Sequence, residues 1–165
     1  MAQEMKLLEA IKHAIQTEKD VMDFYLKAAD MTANDRGKKV FEQLAKEERE
    51  HAGHFFKIYT GSDLGSFEEF ISQPPSANHA MLKQLEKALD ENVHERRAME
   101  LALQEEEDLA RNLRMAASRI VDPAVRAVFD RMAEETATHY AIIESEYAHM
   151  MGMVHESDID TYVRE

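Results

Sequence analysis

Apolar residues recur along most of the chain at alternating steps of three and four, the spacing of an α-helix with one face turned inward. One stripe reads Ile11, Ile15, Glu18, Met22, Tyr25, Ala29, and a second reads Phe41, Leu44, Glu48, His51, Phe55, Ile58. A third runs Met99, Leu103, Glu106, Ala110, Leu113, Ala117, Ile120, and a fourth runs Val125, Phe129, Met132, Thr136, His139, Ile143, Glu146, Met150. The breakers between stripes set the helix limits. The first helix is expected from about Glu4 to Met31, after which Asn34, Asp35 and Gly37 punctuate the chain. The second is expected from about Lys38 to Tyr59. Gly61, Ser62, Gly65 and the pair Pro74–Pro75 mark a connection, in which Phe67, Phe70 and Ile71 suggest a short helical turn packed on the rest. From Asn78 to about Ile120 the pattern is helical again. Asn92 with Glu95 has the form of a capping box, so this stretch reads as two helices or as one kinked helix. Asp122–Pro123 is a cap followed by proline at the first helical position. It opens a last helix to about Met151, which Gly152 ends before an acidic tail over 153–165.

The four stripes are two related pairs. Shifted by 88 residues, the chain matches itself without a gap at Ala10, Ala14, Gln16, Glu18, Asp20, Ala28, Ala29, Val40, Phe41, Ala45, Glu47 and His51. Two similar helical hairpins, at about 4–59 and 94–151 with a long connection over 60–93, make an all-α four-helix bundle. The bundle domain is expected to span 1–152.

Composition narrows the partners. The net charge of −13 argues against nucleic acid, which needs clustered Lys and Arg. The absence of cysteine excludes disulfides, zinc–thiolate sites and iron–sulfur clusters on this sequence. The charged N-terminus MAQEMKLLEA lacks the apolar core of a secretory signal, and no apolar run is long enough to span a bilayer. A cytoplasmic protein without a membrane partner is the expectation.

The chemistry lies in the polar exceptions to the stripes. Glu18, Glu48 and Glu106 fall on core faces near mid-helix, and His51 and His139 do the same. A single glutamate on a helix is usually solvated, and a single interior histidine is usually a hydrogen-bonded core residue. Here Glu18 and Glu106 are repeat equivalents, as are His51 and His139. Several buried carboxylates facing one another would repel or take up protons, whereas a divalent cation supplies the missing charge. Glu48 and His51, three residues apart, share a helix face and reach one ion. Carboxylate with imidazole and no thiolate suits iron or manganese better than structural zinc. Tyr25 lies two turns from Glu18 on the same face, as a core tyrosine or in a redox or hydrogen-bonding role. Met22, Met99 and Met132 read as core filler. His54 reads as exposed, and His149 and His155 form no constellation.

These residues also carry a family likeness. AIQTEKDVMDFY and VFEQLAKEEREHAGHFF resemble the first two helices of rubrerythrin-type proteins in the ferritin-like superfamily, and ALQEEEDL and VFDRMAEETATHY resemble the second pair. The resemblance covers nearly all of the chain apart from the connection and the tail. It implies a ferritin-like bundle with a di-iron carboxylate centre held by Glu18, Glu48, His51, Glu106 and His139, with Glu48 bridging. It further implies reduction of peroxide or oxygen, a homo-oligomer such as a dimer and, because no cysteine-ligated iron is present, an external electron donor. Two positions depart from the family pattern: Thr136 and Leu109 stand where carboxylates are expected. They leave open a second position that binds weakly or not at all. They also leave open a non-catalytic metal protein, or a bundle whose core glutamates and histidines simply pair.

Overall fold

In the computed structural model, backbone is described for residues 2–90 and 94–163, and side chains for residues 6–88 and 95–152. Six helices follow in order: α1 (Ala2–Met31), α2 (Asp35–Ile58), α3 (Phe67–Ile71), α4 (Ala80–Asp90), α5 (His94–Arg119) and α6 (Pro123–Val163). No strand occurs among the described residues.

The local chemistry explains the breaks. Asn34 is extended (φ −75°, ψ 121°) and its side chain accepts the Gly37 N–H, so α2 starts at Asp35, three residues before the expected Lys38. Gly37 therefore lies inside the first turn, where a Cβ would come within 3.1 Å of Thr32 Cγ2. Asp122 Oδ1 accepts the N–H groups of Ala124 (2.9 Å) and Val125 (3.2 Å), which places Pro123 at the first helical position as expected. Ser66 and Glu69 form a reciprocal capping box that starts α3. From Asn78 onward helix is described over α4 and α5; residues 91–93, which decide between two helices and one kinked helix, lie outside the described residues. The expected Asn92–Glu95 box lies partly outside the described residues. The Glu95 carboxylate itself accepts the backbone N–H of Ala33 (2.9 Å), tying α5 to the α1–α2 turn.

The C-terminal boundary differs most from expectation. The backbone remains helical past Gly152 to Val163. An interior glycine costs a helix only about 1 kcal/mol relative to alanine, too little to stop it alone. Gly152 also lacks the positive φ of a helix-ending glycine; Gly65, at 71°, is where the described chain uses one.

α1 packs on α2 and α5 on α6, while α1–α5 and α2–α6 close the square. Contacts between Tyr25 and Glu106, and between Ala33 and Glu95, show that α1 and α5 run antiparallel. Those of His51 with Glu135 and Phe55 with Phe129 show the same for α2 and α6. The two hairpins are thus related by an approximate twofold across the bundle. The expected stripes are buried over their central turns, with Ile58, Leu103, Val125, Glu146 and Met150 only partly covered. Met22, Met99 and Met132 are buried in the core, as the sequence suggested.

α1 buries more than one stripe. Val21, Phe24, Lys19 and Asp23 are also covered, because α4 crosses α1 on that side. There Lys19 Nζ meets Asp23 Oδ2 at 2.6 Å, and His79 Nε2 donates to the Asp20 carbonyl at 2.6 Å. His79 Nδ1 accepts the Leu82 N–H (3.4 Å), so one imidazole both caps α4 and fastens it to α1.

Candidate metal centre

Each long helix contributes to one buried polar cluster at the middle of the bundle. Glu18 comes from α1, Glu48 and His51 from α2, Glu106 from α5, and Thr136 and His139 from α6. All three glutamates are 0% exposed and both histidines 3%. Aromatic contacts close the core on both sides along α2. Phe41, before Glu48, stacks with Tyr25 (6.1 Å), and Phe55, after His51, meets Phe129 edge-on (4.9 Å).

The histidine rings stack nearly parallel, with centroids 5.0 Å apart and planes at 6°. His139 Nδ1 lies 2.9 Å from Glu48 Oε1 and 3.8 Å from Glu106 Oε1. His51 Nδ1 lies 3.6 Å from Glu18 Oε2 and 3.7 Å from Glu48 Oε2. One donor atom from each of Glu48, His51 and His139 falls within 4.8 Å of the others, close enough to share an ion. Glu48 presents Oε1 toward His139 and Oε2 toward His51, so it spans the two halves of the cluster.

The outer nitrogens are engaged as well. His51 Nε2 is 2.8 Å from Glu135 Oε2, and His139 Nε2 is 3.2 Å from Glu47 Oε2. A carboxylate at Nε2 favours the proton on that nitrogen and leaves the Nδ1 lone pair facing inward. Glu47 and Glu135 are repeat equivalents, and each reaches the histidine of the opposite hairpin. The sequence reading missed these partners. Glu135 lies one residue before the stripe position Thr136 on α6, so the stripe does not select it. Its reach is across to α2, where it orients His51 instead. The signal was present, since Glu47 and Glu135 are an identical pair in the repeat.

Electrostatics shows the strain of the arrangement. Burial, then the charges of Glu18 and Glu106, pushes Glu48 well above the usual carboxylate range. Burial also works to raise Glu18, but the neighbouring Glu48 and His51 outweigh it and hold Glu18 low. Burial lowers His51, and the facing carboxylates, Glu18 foremost, more than offset it, leaving His51 raised. Tyr25 donates its hydroxyl to Glu106 Oε1 at 2.5 Å. Burial, with the Glu106 and Glu48 charges, pushes its phenol well up, so Tyr25 keeps its proton.

Six buried polar atoms here have no hydrogen-bond partner: both oxygens of Glu18, Glu48 Oε2, His51 Nδ1, Glu106 Oε2 and Thr136 Oγ1. Buried polar atoms are ordinarily paired, and a cation held among these carboxylate and imidazole atoms would satisfy them. The donor set of carboxylates and imidazoles, without thiolate, fits iron or manganese. Thr136 and Leu109 are both buried and bring no carboxylate. His54 is half-buried rather than exposed, and His149 lies beside Arg36 on the surface (3.2 Å). The side chain of His155 is outside the described residues. No described helix is long and apolar enough to cross a membrane.

A family model described as Rubrerythrin matches residues 9–147. No curated protein and no solved structure matches the chain.

Proposed function

The chain belongs to the rubrerythrin family, and on that premise we propose that it is a non-haem di-iron oxidoreductase that reduces peroxide or oxygen with electrons from ferrous iron. The observation that carries this reading is the set of unpaired carboxylate and imidazole atoms converging at mid-bundle; among the described residues the buried side-chain polar atoms outside this cluster are paired. Glu18 and His51 would hold one ion, Glu106 and His139 the other, with Glu48 between them. Bound there, a ferrous pair would supply the two electrons that peroxide reduction takes.

The chain's own residues do the rest. Glu47 and Glu135 keep the histidine protons on Nε2, which leaves Nδ1 free to ligate. Tyr25 fixes one oxygen of Glu106 and retains a proton close to the centre. The aromatic side chains along α2 exclude bulk water. Restoring ferrous iron requires an external electron donor, and assembly as a homo-oligomer belongs to the same reading.

A second reading is a metal-binding bundle without turnover, favoured specifically by Thr136 and Leu109. Anaerobic ferrous titration of metal-free protein, followed by hydrogen peroxide, separates the two. Two irons per chain and rapid growth of ferric absorbance support the oxidoreductase. One iron or none, without rapid oxidation, leaves the non-catalytic reading. Glu48→Ala should lose at least one iron, and Thr136→Glu should raise occupancy of the second position.

A further inference from the structure

The two halves of this centre differ, although the fold relates them by an approximate twofold. We infer that cation binding is ordered: the first ion enters the Glu18–Glu48–His51 half, and the Glu106–His139 half accepts an ion only after the His139–Glu48 hydrogen bond breaks. This inference rests on the metal-centre reading and specifies how that centre loads.

Three observations carry it. On the α1–α2 side every inward donor atom is unpaired: Glu18 Oε1 and Oε2, Glu48 Oε2 and His51 Nδ1. The approaches of His51 Nδ1 to Glu18 Oε2 (3.6 Å) and to Glu48 Oε2 (3.7 Å) are longer than a hydrogen bond, so little must be released before they ligate. On the α5–α6 side two of the corresponding atoms are already paired, and of the Glu106 oxygens only Oε2 is free. Glu106 Oε1 accepts the Tyr25 hydroxyl at 2.5 Å, and His139 Nδ1 and Glu48 Oε1 hold each other at 2.9 Å.

The asymmetry is written in the repeat. The residue equivalent to Tyr25 is Leu113, which has no hydroxyl to offer, so Glu18 has no such partner. The residue equivalent to Glu48 is Thr136. At the centre, α2 therefore places a carboxylate and an imidazole three residues apart on one face and α6 does not, so on α2 both reach a single ion without any helix moving. The α5–α6 half must borrow Glu48 from across the bundle.

Calorimetric titration with Co²⁺, read in parallel by visible absorption, tests the order without relying on activity. Wild type should bind in two unequal steps, the first tighter by up to about ten-fold, the net worth of one broken hydrogen bond. Glu18→Gln should remove the tight step. Glu106→Gln should keep it and weaken only the second. Tyr25→Phe, which frees Glu106 and needs no change of a ligand, should narrow the gap between the steps. A single equivalent bound, lost in Glu18→Gln and kept in Glu106→Gln, also supports the order. Two equal steps, equal losses in the two glutamine variants, or a gap unchanged by Tyr25→Phe overturn the order and leave the metal centre standing. No heat and no cobalt band in wild type overturns the metal centre itself, and the order with it.

Discussion

Two buried polar clusters share helix α1, and adjacent residues belong to different ones. Lys19 faces α4, where its ammonium meets Asp23 and where His79 is bonded at both nitrogens. Glu18 faces the bundle centre, where neither of its oxygens has a partner. Both are almost fully covered. The first cluster closes on itself and is complete as a structural latch holding α4 to the bundle. The second, on the proposed reading, is completed by a cation. Burial alone therefore does not distinguish a structural polar group from a functional one. Whether the protein itself completes the bonding does.

The largest expected effect breaks the first cluster and spares the second. Lys19→Met leaves Asp23 buried without its partner and should cost about 3–5 kcal/mol. Urea denaturation measures it, and Co²⁺ affinity should be unchanged. Adding Asp23→Leu should recover most of the loss, since an apolar pair replaces a buried ion pair at little cost. A Lys19→Met variant as stable as wild type would mean that the latch is open in solution.

A smaller effect sharpens the second cluster. Glu135→Gln and Glu47→Gln each remove a carboxylate from an outer histidine nitrogen, and each should weaken Co²⁺ binding by about 10- to 100-fold. Stability without metal should change little, because both residues are part-exposed. Equal affinity in the variants and wild type would show that the histidines are oriented by packing alone.

The smallest effect concerns pH. Glu48 is raised well above its usual range, Glu105 is pushed up to about 7, chiefly by burial and then by Glu106, and His51 is raised by its carboxylate neighbours. Each binds its proton more tightly in the folded than in the unfolded chain. Across this window the native state holds more protons, so stability falls as pH rises. Metal-free protein should lose on the order of 1 kcal/mol between pH 6 and pH 8, read from urea midpoints. Glu18, held low, acts in the opposite sense and only below the usual carboxylate range. A metal-free midpoint that rises over this interval would contradict the assigned directions.

Much of this was legible in the sequence, for identifiable reasons. A buried face repeats every three or four residues, so the stripes located Glu18, Glu48, His51, Glu106 and His139 at the core before any coordinates. The internal repeat predicted the paired hairpins. What escaped depended on other elements. The α1 stripe does not select Lys19 or Asp23, and only the crossing of α4 shows them to be buried. Glu135 is off the stripe by its own helix's geometry, and its role appears only when α2 brings His51 within 2.8 Å. Gly152 reads as a stop, yet the helix continues through it to Val163, because one glycine is a weak penalty.

The central claim is that the mid-bundle cluster is completed by a cation. Thermal unfolding of metal-free protein, with and without ferrous ion under anaerobic conditions, tests it most directly, using Glu48→Ala as the control. A ligand bound only by the native state must stabilise it, by about 4 kcal/mol at a thousand-fold excess over its dissociation constant. The account predicts a large rise in melting temperature for wild type, reversed by a chelator, and a much smaller one for Glu48→Ala. An unchanged melting temperature in wild type, or an equal rise in both proteins, would contradict it.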